Sequence, residues 1–353
     1  MQTPLTLQRT LLGFILLATL FVCKSGAEPA KPADSSDGGR LGDAASANKA
    51  LGRGINLGNA LEAPKEGDWG LKLEADYFKQ IKAAHFHTVR VPVRWSAHAA
   101  EKAPYTIDPA FFKRIDWVLD QCKANKLNAV LNVHHYNALD KDPDKHIARL
   151  VGLWRQIATR YKDRPASVYF EVYNEPHDKL TADKWNDAVA KVLAVVRKAN
   201  PTRPVIVGPA SWNSIRSLPQ LNLPDDKNLI VTVHYYEPMA FTHQGAEWAP
   251  PKIRDLKGVT WEGADEQMAE LRKALDAAAK WAKKNKRPVF LGEFGAYSKA
   301  DMVSRARWTK AVAREAEARG FSWAYWEFAS GFGAYDKNKK EWREPLLKAL
   351  IGK

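Results

Sequence analysis

Val168-Tyr169-Phe170-Glu171-Val172-Tyr173-Asn174-Glu175-Pro176 is a short β-branched and aromatic run that ends on an amide and a carboxylate and is stopped by proline. The apolar part reads as a buried strand. In a barrel of parallel strands, polar groups at the C-terminal end of a strand face the side where chemistry is done. A second run of the same kind lies far down the chain, Pro288-Val289-Phe290-Leu291-Gly292-Glu293-Phe294-Gly295, and it also delivers one glutamate at its end. Two glutamates at two strand ends point to a reaction carried by a pair of carboxylates.

Working outward, strand-like runs recur at 54–57, 88–93, 128–133, 168–173, 205–208, 229–235, 288–292 and 321–326. Helical patterns separate them at 73–85, 109–125, 146–163, 181–199, after Trp212, and at 262–286 and 300–319, with a last one at 342–351. Asp108-Pro109 and Thr181-Ala182-Asp183 are helix starts and Gly320 a helix stop. Strands alternating with helices in this number predict an α/β fold, a single (β/α)8 TIM barrel. Extra chain is expected in the loops 58–72 and 236–261.

The 353-residue chain fits one large barrel, and its 45% hydrophobic and 27% charged content is that of a globular protein. Before the barrel, residues 11–23 form an apolar run behind Arg9, too short for a comfortable membrane span. Residues 1–27 therefore read as a signal peptide cleaved near Ala27, which places the protein in the periplasm or outside the cell. Lipid attachment at Cys23 is the alternative, disfavoured by the bulky Leu20-Phe21-Val22 before it. Residues 28–47, rich in Ala, Pro, Ser, Asp and Gly, are expected to be a disordered linker. The catalytic domain is assigned to 48–353. With only Cys23 and Cys122 present, loss of the signal leaves no intramolecular disulfide, and Cys122 is expected in the core.

The formal charge is +14. The basic clusters at 280–287 and 337–340 accompany no nucleic-acid motif and read as a solvated helix face and a loop, so no nucleic-acid partner is expected. Metal chemistry is not expected either. His134 and His135 are adjacent on a strand and point apart. His85 and His87 precede a strand, at the end of a barrel that serves stability.

The strand ends collect a consistent set: Asn59 and Glu62; Arg90, Arg94 and Trp95; His134, His135 and Tyr136; Asn174 and Glu175; Ser211 and Trp212; His234, Tyr235 and Tyr236; Glu293; Trp326 and Glu327. The opposite ends are bland. Aromatic platforms suit sugar ring faces, and His, Asn and Glu suit sugar hydroxyls. Two carboxyl groups flanking a bond are the apparatus of glycoside hydrolysis, one protonated and one ionised, so their environments must separate their pKa values. Glu293 is assigned as nucleophile, kept ionised by Arg90 and hydrogen-bonded by Tyr236. Glu175 is assigned as acid/base, with Asn174 set to bind the sugar 2-hydroxyl. His134, His135 and His234 would hold hydroxyls or tune the acid, and Trp326 would floor the subsite. Glu171 should pair with a charge inside the barrel, and Glu327 should be structural. Trp95, Trp212, Trp248 and Trp326 are expected to stack on sugar; Trp69, Trp154, Trp185, Trp281 and Trp308 are expected in the core.

The ordered stretches Gly54-Ile55-Asn56-Leu57-Gly58-Asn59-Ala60-Leu61-Glu62, Val89-Arg90-Val91-Pro92-Val93-Arg94-Trp95, Val133-His134-His135-Tyr136, Tyr173-Asn174-Glu175-Pro176, Val233-His234-Tyr235-Tyr236, Gly292-Glu293-Phe294-Gly295 and Trp326-Glu327-Phe328 resemble glycoside hydrolase family 5, the cellulase and mannanase family of the retaining (β/α)8 clan. The resemblance spans about residues 54–335. It implies Glu175 as acid/base and Glu293 as nucleophile, with Arg90, His134, His135, Asn174, His234, Tyr236 and Trp326 around the substrate. The stretch Phe241-Thr242-His243-Gln244-Gly245-Ala246-Glu247-Trp248 is similar to an endoglucanase branch in which the matching tryptophan lines the cleft and both β-1,4-glucans and mannans are accepted. Asn59, Glu62, Trp212 and Trp248 complete the expected substrate-binding set. A secreted, monomeric, cofactor-free retaining endo-β-1,4-glucanase acting on a β-linked polysaccharide or oligosaccharide is the expectation. Mannan, mixed-linkage glucan or xyloglucan as substrate, and a barrel that binds carbohydrate without cleaving it, are the alternatives.

Overall fold

The computed structural model describes residues 43–352. The expected signal peptide with its Ala27 cleavage site and Cys23, and most of the expected linker, lie outside them. Eight parallel strands, β1 (Arg53–Asn56), β2 (Thr88–Val91), β3 (Asn128–Asn132), β4 (Val168–Glu171), β5 (Val205–Val207), β6 (Leu229–His234), β7 (Val289–Glu293) and β8 (Ser322–Tyr325), pair in sequence order. β1 closes the ring on β8 through Arg53↔Trp323, Gly54↔Ala324 and Ile55↔Tyr325. Long helices follow most strands, among them Pro109–Ala124, Pro143–Arg160, Ala182–Ala199, Asp265–Asn285 and Met302–Ala318. After β5 the crossover is reduced to a short turn, Ala210–Asn213, and the 3-10 stretch Ile215–Gln220.

The period-2 alternation of the strands sorts their side chains into two separate cores. Ile55, Val89, Leu131, Phe170, Val207, Val231, Leu291 and Trp323 face outward and pack under the helices. Val130, Tyr169, Ile206, Ile230, Phe290 and Ala324 face inward and form an apolar layer low in the barrel. One residue pair higher, the inward positions turn polar: Asn56, Arg90, Asn132, Glu171 and Thr232, all fully buried. The interior is thus apolar at the bottom and charged beneath the C-terminal rim.

The bottom is closed by a helix the sequence reading placed partly in the linker. Ala44–Leu51 is helical, with the Asp43 side chain accepting from Ser46 N–H at 2.9 Å as an N-cap. The expected linker boundary at 47 is therefore corrected. Alanine-rich composition resembles a linker, but Ala44, Ala47 and Leu51 share one helical face and join the inner apolar layer. Asn48 ties the helix in place, donating to Val289 O at 3.1 Å and accepting from Ser322 Oγ at 2.7 Å. Leu51→Ala should destabilise the protein by about 2–5 kcal/mol, the cost of a core cavity. Urea unfolding should show this as a lower midpoint, and the polar layer at the opposite end of the barrel should be unaffected in the folded protein.

Candidate active site

Arg90 projects from β2 into the polar layer, and each of its N–H groups has an acceptor. Nε and Nη2 grip Glu171 of β4 at 2.7 and 2.8 Å. Nη1 donates to Asn56 Oδ1 at 2.8 Å and to Glu293 Oε1 at 2.7 Å, and Nη2 also reaches Asn174 Oδ1 at 2.6 Å. The expected charge partner of Glu171 is therefore Arg90. Burial works against the guanidinium charge, but Glu171 and Glu293 outweigh it and hold Arg90 protonated above its usual value.

Glu293 reaches this position through a bulge. Register runs Val233↔Leu291 and then His234↔Glu293, so Gly292 is an extra residue in β7. By strict alternation Glu293 would follow inward Phe290 and outward Leu291 to the outside; the extra residue re-aims it over the barrel. Gly292 is required there, since a Cβ would stand 2.5 Å from Thr232 Oγ1 and 3.1 Å from His234 Nε2. Glu293 Oε2 accepts from Tyr236 O–H at 2.8 Å. Burial raises the Glu293 pKa, while His234, Arg90 and the tyrosine hydrogen bond oppose the rise.

Glu175 stands opposite, past the end of β4. Its carboxyl has one hydrogen-bond partner among the described residues, His234 Nδ1 at 2.7 Å from Oε1. A quarter of its side chain stays open to the cleft. Protein walls the rest, and that burial pushes its pKa up to about 7. Ligand-type atoms of Glu175, His234 and Glu293 lie within 4.8 Å of one another. The carboxyl groups therefore face each other at close range in unlike settings: Glu293 is anchored at both oxygens by an arginine and a phenol, and Glu175 by a histidine alone. Of the two, Glu293 is the better held as an anion. The trio is also the group with metal-chelating spacing among the described residues. Both Glu293 oxygens are already engaged, by Arg90 and Tyr236, and His234 Nδ1 is engaged with Glu175 Oε1.

Around this pair lies a cleft of ≈ 1890 Å³. Of the expected residues, Asn59, His134, His135, Asn174, Glu175, Trp212, His234, Tyr236, Trp248, Glu293 and Trp326 line it. The amide oxygen of Asn174 is taken by Arg90, which leaves its NH2 as the donor available to a ligand. His134 stacks on Trp326 (centroids 5.8 Å, 11°), and its Nδ1 lies 3.2 Å from Asn132 Nδ2. Burial keeps its pKa well below the usual histidine value, so it is a neutral hydrogen-bonding group. Trp212 stacks on His177 at 4.9 Å, and His177 Nδ1 bonds the Glu175 carbonyl at 2.6 Å. Trp248, 62% exposed, stands on the loop after β6 and meets Tyr297 edge-on at 4.9 Å. Glu247 beside it accepts from Tyr297 O–H at 2.8 Å.

Some expectations fail on exposure. Glu62 is fully buried and away from the cleft; it accepts backbone N–H bonds from Asn59 and Ala60, and burial pushes its pKa up to about 8. It shapes the loop that carries Asn59 rather than meeting a ligand. Arg90 is likewise fully buried and acts from beneath the carboxylate. Trp95 is buried between Phe111 and Phe112, its indole donating to Asn132 O at 2.9 Å, so it does not stack on sugar. Conversely, Trp69, expected in the core, is 40% exposed and lines the cleft edge-on to His135. Trp154, Trp185 and Trp308 are buried as expected. Glu327 is structural: it accepts from the N–H groups of Ala329 and Ser330 at 2.9 Å and of Phe332 at 3.0 Å. Sequence reasoning missed Tyr297, Phe332 and Asn213. The first two lie beyond strand ends with no polar signature. Asn213 follows Trp212, and no local pattern marks it.

Comparison with known proteins agrees with this geometry. Residues 48–331 match the family described as cellulase (glycosyl hydrolase family 5). Endoglucanase H of Acetivibrio thermocellus is 38% identical over 307 residues, covering 85% of this chain, while the chain spans only 33% of that relative's length. A solved hyperthermophilic endo-beta-1,4-glucanase in complex with substrate is 51% identical, with TM-score 0.87 over 88% of this chain and 100% of its own. Thermotoga maritima Cel5A in complex with mannotriose is 48% identical, with TM-score 0.86 over 87% of this chain and 100% of its own. By sequence and by structure alike, the chain belongs to glycosyl hydrolase family 5, the cellulase family.

Proposed function

We propose that this protein is a retaining endo-β-1,4-glucanase, with Glu293 as nucleophile and Glu175 as acid/base. The observation that carries this is the close pair of carboxyl groups in opposed settings. Retaining glycosidases hold theirs about 5–5.5 Å apart, whereas inverting ones need about 6.5–9.5 Å to admit a water. In the first step Glu293 attacks the anomeric carbon, the glycosidic bond breaks, and Glu175 gives its proton to the leaving oxygen. In the second, ionised Glu175 takes a proton from water, the water oxygen bonds the anomeric carbon, and Glu293 leaves as carboxylate. The Asn174 NH2, left available because its Oδ1 accepts from Arg90, would bond the 2-hydroxyl, a contact that strengthens in the transition state. Trp69, Trp212, Trp248 and Trp326 offer ring faces and edges to a chain of sugars. A monomer is the proposed working unit. The export-type composition of residues 1–27 would put the enzyme in the periplasm or outside the cell.

A second reading, cleavage of mannan in the same cleft, is favoured by the mannotriose complex of Thermotoga maritima Cel5A. Reducing-sugar release from carboxymethylcellulose, lichenan and galactomannan separates the two. Glucans are expected to be cleaved faster; no release from any of the three while binding persists would leave a carbohydrate-binding barrel.

Glu293→Ala should abolish turnover, and azide should restore it on an activated aryl glycoside as a glycosyl azide of inverted configuration. Absence of rescue would move the nucleophile elsewhere. Glu175→Gln should lower kcat on polysaccharide by about 10²–10⁴-fold, the usual worth of a general acid. Substrates with good leaving groups should lose far less in the glycosylation step. The first step needs Glu175 protonated, so kcat/KM should fall as pH rises through about 7. An alkaline limb that stays unchanged in Glu175→Gln would assign that titration to another group.

A further inference from the structure

His234 is buried and engaged at both ring nitrogens: Nδ1 lies 2.7 Å from Glu175 Oε1, and Nε2 lies 3.3 Å from Asn213 Nδ2. Distances alone do not say which nitrogen carries the hydrogen. Asn213 decides it. The same amide nitrogen donates to the backbone carbonyl of Asn174. A carbonyl oxygen only accepts, so that end of the Asn213 side chain is the NH2; the flipped amide would press two acceptors together. One NH2 hydrogen serves Asn174 and the other faces His234. Nε2 must then accept, so the neutral ring carries its hydrogen on Nδ1 and donates it to Glu175.

The backbone is distorted to achieve this. Ser211, Trp212 and Asn213 are three consecutive non-glycine residues in the left-handed region, with φ of 60°, 58° and 54°. The other end of the amide, Oδ1, is buried with no hydrogen-bond partner among the described residues. It stands over Gly208, where a Cβ would come within 2.1 Å of it. A strained turn and an orphaned acceptor at one residue mark a position kept for what its other atoms do.

We propose that Asn213 is a positioning residue that locks His234 in the Nδ1–H tautomer, making Glu175 Oε1 a permanent hydrogen-bond acceptor and leaving Oε2 as the oxygen that exchanges the proton with the substrate. This rests on the assignment of Glu175 as acid/base. The N–H at Oε1 keeps the acidic hydrogen off that oxygen. It also stabilises the carboxylate left when the proton goes to the leaving group, which opposes the upward push of burial. The titratable groups facing Glu175 and His234 include Glu293, with Oε2 3.6 Å from Nδ1, together with Arg90, Glu171, His134, His177, Asp140, Tyr173 and Tyr236. Among the described residues, none of these hydrogen-bonds the Glu175 carboxyl.

The test is a long-range ¹H–¹⁵N correlation spectrum of the histidines in the ligand-free, full-length protein, with His234 assigned by its loss in His234→Gln. At neutral pH it should show a pyrrole-like Nδ1 and a pyridine-like Nε2; the reverse pattern, or a doubly protonated ring, overturns the proposal without any variant of Asn213. Asn213→Asp keeps the shape and tolerates the left-handed turn but offers no donor. In it the spectrum should reverse to Nε2–H, and the alkaline limb of kcat/KM should move up by about one pH unit as Glu175 loses its donor. An unchanged Nδ1–H spectrum in Asn213→Asp overturns the proposal whatever the limb does. Glu175→Gln that still cleaves polysaccharide at the full rate would sink the acid/base assignment and leave the wild-type spectrum as it is, so the two failures are distinguishable.

Discussion

A single guanidinium with no exposed surface holds the upper half of this barrel together. Arg90 has five N–H donors, and the structure supplies an acceptor for each from Glu171, Asn56, Glu293 and Asn174. A buried charge left unpaired is among the most costly things a fold can contain. The acceptors are therefore held where they are as firmly as the arginine is. Glu171 balances the charge from below. What remains of the donor fork fixes the orientation of Glu293 and Asn174 before any ligand arrives, which is the preorganisation that electrostatic catalysis requires.

The layering of the interior follows from the same constraint. An apolar layer from six strands, plugged by Ala44, Ala47 and Leu51, supports the polar one and keeps water from reaching it from below. Above it, the two carboxyl groups are distinguished by their neighbours rather than by their depth. Glu293 shares an ion pair with Arg90 and a hydrogen bond with Tyr236. Among the described residues the Glu175 carboxyl has a single hydrogen-bond partner, a histidine kept neutral because burial pushes the His234 pKa down to about 4. The two carboxyl groups thus sit in unlike settings: Arg90 and Tyr236 counter the upward push of burial on Glu293, while burial raises the Glu175 pKa to about 7.

Much of this was legible in the sequence because barrel strands put their chemistry at one end. The strand ends named the two glutamates, and Glu171 was expected to pair with a charge inside the barrel, which is Arg90. Position at a strand end does not fix exposure, however. Glu62 and Trp95 sit where ligand-binding residues would, yet one folds back onto its own loop and the other turns outward beneath a helix. Trp69 shows the reverse, a loop tryptophan whose place on the cleft depends on contact with His135. The bulge at Gly292 was visible only as a glycine in a strand, without indication that it rotates Glu293 inward. Asn213 was invisible, because its role lies in bonds to residues 39 and 21 positions away along the chain, made from a left-handed turn that no local pattern demands.

The central claim is that Arg90 and Tyr236 hold Glu293 ready to attack a sugar carbon whose leaving oxygen is protonated by Glu175, a ligand-type atom of which lies within 4.8 Å of one on Glu293. The stereochemistry of the first product tests this most directly. Proton NMR of a cello-oligosaccharide digest, followed from the first minutes before mutarotation, should show the new reducing end appearing as the β-anomer. Initial appearance of the α-anomer would mean that water attacks directly, and would contradict the account.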